Sequence, residues 1–160
     1  MATIPEPMQD LLDAFALMED RQERIEALID WADRFEPVPD SVGAPPYPES
    51  ARVPNCESEA FCFAAPDGGG ALRYHFAVLN PQGVSAMALA AIIGRTLSGQ
   101  PPERVCAVEP DVVYTLFGRE LSMGKTAGLM GMMQMVRALT KQRVALGAGA
   151  DRAAEEGAGS

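Results

Sequence analysis

The stretch Arg52-Val53-Pro54-Asn55-Cys56-Glu57-Ser58-Glu59-Ala60-Phe61-Cys62-Phe63 decides how the rest of this chain is read. It places a cysteine in a polar turn, directly ahead of residues that alternate like a half-buried strand. Downstream, Asp67-Gly68-Gly69-Gly70 makes a turn, and Leu72, Tyr74, Phe76 and Val78 return with period two. This pattern predicts a β-hairpin with Phe61 and Phe63 on one face and Cys62 packed on the other. His75 falls opposite Tyr74 and Phe76 in the alternation, so it is expected to be exposed. A thiol at the Cys56 turn can be held by the sheet and still lie within a partner's reach. Buried structural cysteines are common, so position alone does not make Cys56 reactive.

Upstream of the cysteine, residues 36–54 hold Pro37, Pro39, Pro45, Pro46, Pro48 and Pro54, a density that excludes helix and central strand. We read this segment as an extended loop, tacked onto the core by Val38, Val42 and Tyr47, that leads into Cys56. Before it come two amphipathic helices. Pro7 suits the first turn of one, whose stripe is Leu11, Leu12, Phe15, Leu17 and Met18. Asp20 is placed to cap the second, with Glu23 three residues on, and Ile25, Leu28, Ile29 and Trp31 make its apolar face. Trp31 is expected in the core.

Beyond the hairpin the chain reads as helical. Residues 85–97 are apolar nearly all round, as for a helix buried against a sheet. A short helix restarts at Pro101-Pro102-Glu103 and carries Cys106, and 111–117 gives another turn or two. Ser122 is placed to cap a long helix over 123–144, whose methionines fill gaps in the core. The glycine- and alanine-rich residues 147–160 are expected to be a disordered tail after a domain spanning 1–146. The predicted class is α+β: one domain with a small antiparallel sheet packed against several helices.

Composition narrows the function. The chain has 160 residues, enough for one real core, and a hydrophobic fraction of 48%. It shows no apolar run of the length a membrane helix needs, and Met1 to Asp20 contains no basic residue to start a secretory signal, so we expect a cytoplasmic protein that does not enter a membrane. The formal net charge is −9; residues 1–60 carry 14 Asp or Glu against 4 Arg. Nucleic-acid binding needs a basic surface, which argues against that role. Three cysteines cannot all pair within one chain, and with one histidine and no C-x-x-C pair they make a poor zinc site, so no metal is expected.

The order of helices, proline-rich loop, cysteine turn, hairpin and helices resembles the SufE family of sulfur-acceptor proteins, over roughly residues 10 to 143. Residues Val53 to Phe61 are similar to the family's V-x-G-C-x-S-x-x-W pattern around its sulfur-carrying cysteine. Leu97-Ser98-Gly99-Gln100-Pro101-Pro102-Glu103-Arg104-Val105 is similar to its small-residue turn and T-P-E-E-I segment, and Leu121-Ser122-Met123-Gly124-Lys125-Thr126-Ala127-Gly128-Leu129 to its L-S-x-S-R-x-N-G-L helix start. Asn55 replaces the pattern's glycine, and asparagine also tolerates left-handed backbone. Phe61 replaces its tryptophan, Asn80-Pro81-Gln82 its D-S-D, and Lys125 its arginine, which keeps the charge and loses the bidentate fork.

The resemblance implies a SufE/IscU-like fold and an accessory role without an enzymatic activity of its own. Cys56 would take persulfide sulfur from a PLP-dependent cysteine desulfurase and pass it to an iron–sulfur assembly scaffold. No cofactor is needed beyond the transient persulfide, and Asn55, Glu57, Ser58 and Lys125 would make the binding surround. Glu57 and Glu59 oppose ionisation of a neighbouring thiol, so activation is expected to depend on the partner. Two other classes stay open: a cluster scaffold, which needs about three converging ligands, and a redox-regulated interaction protein with a Cys56–Cys62 disulfide.

Overall fold

The computed structural model describes the backbone of residues 2–158 and the side chains of residues 2–147. Chain order is α1 (Glu6–Ala16), α2 (Arg21–Asp33), β1 (Ala60–Pro66), β2 (Leu72–Val78), α3 (Val84–Thr96), α4 (Pro102–Cys106), α5 (Val112–Phe117) and α6 (Met123–Ala158). The class is α+β, with one two-stranded antiparallel sheet among the described residues.

The hairpin forms where alternation and turn chemistry place it. Cys62 pairs with Phe76, Ala64 with Tyr74 and Phe63 with His75. Its two faces are covered by different material. Cys62, Leu72, Tyr74 and Phe76 enter the main core, which they share with Leu89, Ile92 and Ile93 of α3 and Met132, Met133 and Val136 of α6. Phe61 and Phe63 turn to the other side and meet the proline-rich loop: the Tyr47 ring lies 5.0 Å from that of Phe61 and 5.9 Å from that of Phe63. The loop's Val38 is buried in this second cluster, and its N–H donates to Phe76 O at 2.8 Å. Gly43 sits so close to the Phe63 ring that a Cβ there would lie 2.7 Å from it. The loop thus acts as the missing outer layer of a sheet too small to protect both faces.

The helices follow their stripes with three corrections. Leu17 stands after the end of α1 and is 82% exposed, because the buried side of that helix runs through Met8 and Phe15. Ile25 and Ile29 are also exposed, since α2 rests on its Ala27, Leu28 and Trp31 side and buries no residue fully. The long helix does not stop at 144: α6 runs to Ala158, through residues 147–158 of the expected tail. Alanines there favour helix and no proline interrupts it. The rest of that expectation concerns side chains and residues outside those described. Trp31 packs against the core, and Asp20 caps α2 by accepting from Gln22 N–H at 3.0 Å.

One arginine ties the helical layer together. Arg24 of α2 donates to four carbonyls: Thr115 and, at 3.1 Å, Leu116 in α5, and Phe15 and Met18 at the end of α1, at 3.2 and 3.3 Å. These carbonyls belong to helix ends, which lack partners of their own. A lysine cannot span four acceptors. Arg24→Lys should therefore lower unfolding stability by about 2 kcal/mol, the scale of lost charged hydrogen bonds. The urea midpoint measures it, and an unchanged midpoint would mean that water serves these carbonyls equally well.

Candidate functional site

The cysteine turn is a loop closed at its base by sheet-like pairing. Arg52 bridges to Phe61, and Val53 N–H donates to Ala60 O at 2.8 Å. Val53 is buried, so the loop's foot is anchored in the core. Arg52 also lies 4.8 Å over the Phe61 ring and pairs with Glu49 at 3.0 Å. Within the loop, Glu59 N–H donates to Cys56 O at 3.3 Å. Asn55 and Glu59 both take positive φ, 62° and 50°. Asparagine is suited to that conformation and fits the turn as expected, whereas glutamate holds it at a cost. The thiol is therefore flanked by two left-handed residues, on a short loop hung from a rigid base.

Against the back of this loop runs a glycine seam that reading along the sequence had not singled out. Gly124, Gly128 and Gly131 stand four and three residues apart, on one face of α6. A Cβ on Gly128 would lie 3.1 Å from Cys56 Cα and 3.2 Å from Asn55 O. A Cβ on Gly131 would collide with Pro54 O, and one on Gly124 with Glu57 Oε1. The helix backbone itself is thus the bed on which residues 54–57 lie. The signal was legible in principle, as three glycines at helical spacing inside an otherwise strong helix.

Cys56 is half-buried and lines an open cleft of about 290 Å³, together with Glu57, Ser58, Asn80, Gln82, Val84 and Lys125. Two helix N-termini border it: α3 through Val84, Ser85 and Ala86, and α6 through Gly124 and Lys125. Their partial positive charge, with the Lys125 ammonium, favours an anion in the cleft. Glu57 bears the opposite charge, but its carboxylate is tucked against the first turn of α6, where a helix end accommodates it. Ser122 helps start that helix, its hydroxyl accepting from Lys125 N–H at 3.3 Å. Ser58 packs against Gly83, and Asn80 Oδ1 accepts from Gln82 N–H at 2.9 Å, fixing the turn into α3. Asn55 does not line this cleft; it borders a separate cavity with Tyr114, Met123 and Met130 across α6.

The other thiols are placed differently. Cys62 is 2% exposed, and burial pushes its thiol well above the usual range. Cys106 is half-buried; burial raises its thiol too, against the lowering effect of Lys141 and Arg137. All three cysteines are free. Among the described residues, no three of His, Cys, Asp and Glu are grouped so as to hold a metal ion. Brief treatment of the native protein with iodoacetamide should label Cys56, label Cys106 slowly and spare Cys62 until denaturant is added. Early labelling of Cys62 would show that the hairpin opens readily.

His75 departs from expectation. It is half-buried, because the end of α2 and the residues after it cover that side of β2, and Arg34, Phe35, Glu36 and His75 line one cavity there.

The family model described as "SufE: Fe-S metabolism associated domain" matches residues 9–140. A solution structure of a hypothetical protein from Thermus thermophilus has the same fold, with a TM-score of 0.69 at 21% identity, over 89% of this chain and 99% of that one. No helix among the described residues is long and apolar enough to cross a membrane.

Proposed function

This chain belongs to the SufE family of Fe–S metabolism, and on that premise we propose that it is a sulfur acceptor and carrier with Cys56 as the working thiol. The observation that carries this reading is the setting of Cys56: half-buried in an open cleft, on a loop anchored at its base, between two helix N-termini. The donor is a PLP-dependent cysteine desulfurase holding a persulfide on its own cysteine. Cys56 thiolate attacks the terminal sulfur of that persulfide, so a new S–S bond forms on Cys56 as the donor's S–S bond breaks. The donor cysteine leaves as a thiolate, and no external oxidant or reductant enters. A second thiolate, on or en route to an iron–sulfur assembly scaffold, then takes the sulfur by the same displacement.

The cleft's features match these steps. Lys125 and the two helix N-termini line the cleft beside the transferred sulfur. Ser58, Asn80 and Gln82 supply polar contacts without competing as nucleophiles. Val84, 43% exposed, lines both this cleft and an adjoining apolar groove with Ile25, Ile29 and Leu121, which offers a docking partner purchase beside the thiol.

Incubation with a cysteine desulfurase and cysteine, followed by non-reducing peptide mass analysis, tests the reading. The mass of added sulfur should fall on the Cys56 peptide. Sulfur found only on Cys62 or Cys106, or on none of the three, would overturn it.

A further inference from the structure

At the other end of α3 from the thiol cleft lies a second cavity, of about 270 Å³, formed where α2 ends beside β2 and the last turns of α3. Three arginines from separate parts of the chain line it: Arg34 after α2, Arg73 on β2 and Arg95 on α3. Glu36 is the one carboxylate in the lining, so this spot is locally cationic on a chain whose net charge is −9. Arg73 is paired with Asp67 at 3.2 Å, but Arg34 and Arg95 have no carboxylate partner among the described residues. Arg34 instead sits 4.9 Å over the Trp31 ring, and Trp31 and Phe35 give the cavity an aromatic side, while the Tyr74 ring is buried in the main core. His75 completes the set of titratable groups facing the cavity from β2, and nothing in the sulfur-transfer reading uses any of these residues.

We propose that this cavity binds a small phosphorylated molecule, its phosphoryl group held by Arg34, Arg73 and Arg95 and its body resting on the Trp31 side. Guanidinium forks match phosphoryl oxygens in geometry as well as charge, and several of them on one small cavity suit a dianion. An aromatic wall beside them accepts a planar ring. The volume admits a small molecule and excludes a folded partner. Burial first, then the Arg73 guanidinium, hold His75 below the usual imidazole range. The other charged groups on the cavity are Arg34 and Glu36 from the α2 side and Arg95 from α3. A bound dianion would offset the arginines and move His75 back up.

The chain carries its own reporters, since Trp31 is its one tryptophan and His75 its one histidine. The full chain is titrated at constant ionic strength with inorganic phosphate and with adenosine monophosphate, following Trp31 fluorescence and the His75 imidazole by NMR. We expect saturable changes and a rise in the His75 pKa. Arg95→Ala, on an exposed position of α3 where loss of the side chain leaves the core intact, should weaken binding about tenfold, the scale of one lost charged contact. Arg137→Ala, whose side chain pairs with Glu109 away from the cavity, should leave binding unchanged. Equal affinity for the two probes identifies the phosphoryl group as the whole determinant, and tighter adenosine monophosphate adds the aromatic wall; both support the proposal. No saturable response to either probe, or an unaltered response in Arg95→Ala, would overturn it.

Discussion

Replacing Cys56 by serine is expected to abolish stimulation of a cognate cysteine desulfurase while leaving the urea midpoint within about 0.5 kcal/mol of the parent. The two side chains have nearly the same shape, and a half-buried position at the edge of a cleft tolerates the change. The chemistry does not tolerate it. A serine hydroxyl is hardly ionised near neutral pH and cannot displace a thiolate from a persulfide at a useful rate. The matching variants at Cys62 and Cys106 should keep most of the stimulation, because one thiol is sealed in the core and the other lies on α4, outside the cleft. Full stimulation by Cys56→Ser would move the function to another residue. The midpoint is measured alongside, so that a lost fold is not mistaken for a lost thiol.

The second large effect comes from the glycine seam of α6. Glycine within a helix ordinarily weakens it by about 0.5–1 kcal/mol relative to alanine. At Gly131 the sign should reverse, because the added methyl meets the Pro54 carbonyl, a backbone atom that cannot swing aside. Gly131→Ala is expected to destabilise the chain by about 1–3 kcal/mol, the range of overpacked sites. Gly128→Ala acts closer to the thiol, with its methyl 3.1 Å from Cys56 Cα. The loop has to lift by a few tenths of an ångström, so iodoacetamide should label Cys56 faster than in the parent. Gly147→Ala is the control: nothing lies within 4 Å of its added carbon, and that change should stabilise the helix. If all three substitutions proved equally stabilising, the loop would not rest on the helix in solution.

Much of the molecule could be read from short-range patterns. The hairpin register follows from period-two alternation around a glycine turn, and Asp20 and Ser122 start helices as placed. Asn55 takes the left-handed conformation that its position in the turn asked for. The proline-rich segment does cover the sheet through Val38 and Tyr47. The misses share a cause. Ile25 and Ile29 look like core on a helical wheel, yet whether another element arrives to cover them depends on residues far along the chain. His75 alternates as an exposed residue, but the end of α2 folds over it. Leu17 lost its place in the stripe because α1 ended one residue earlier.

Local preferences along the chain were enough to set the class of fold, the order of elements and a cysteine held in a turn at the mouth of a hairpin. These depend on backbone conformation and alternation acting over a few neighbouring residues. Long-range packing alone settled that α6 would lie bare-backboned under the cysteine loop, that two helix N-termini would meet at the thiol, and that three arginines would share a cavity. Each of these is an encounter between segments far apart in the chain, set by packing the whole core at once, and no local window contains that information.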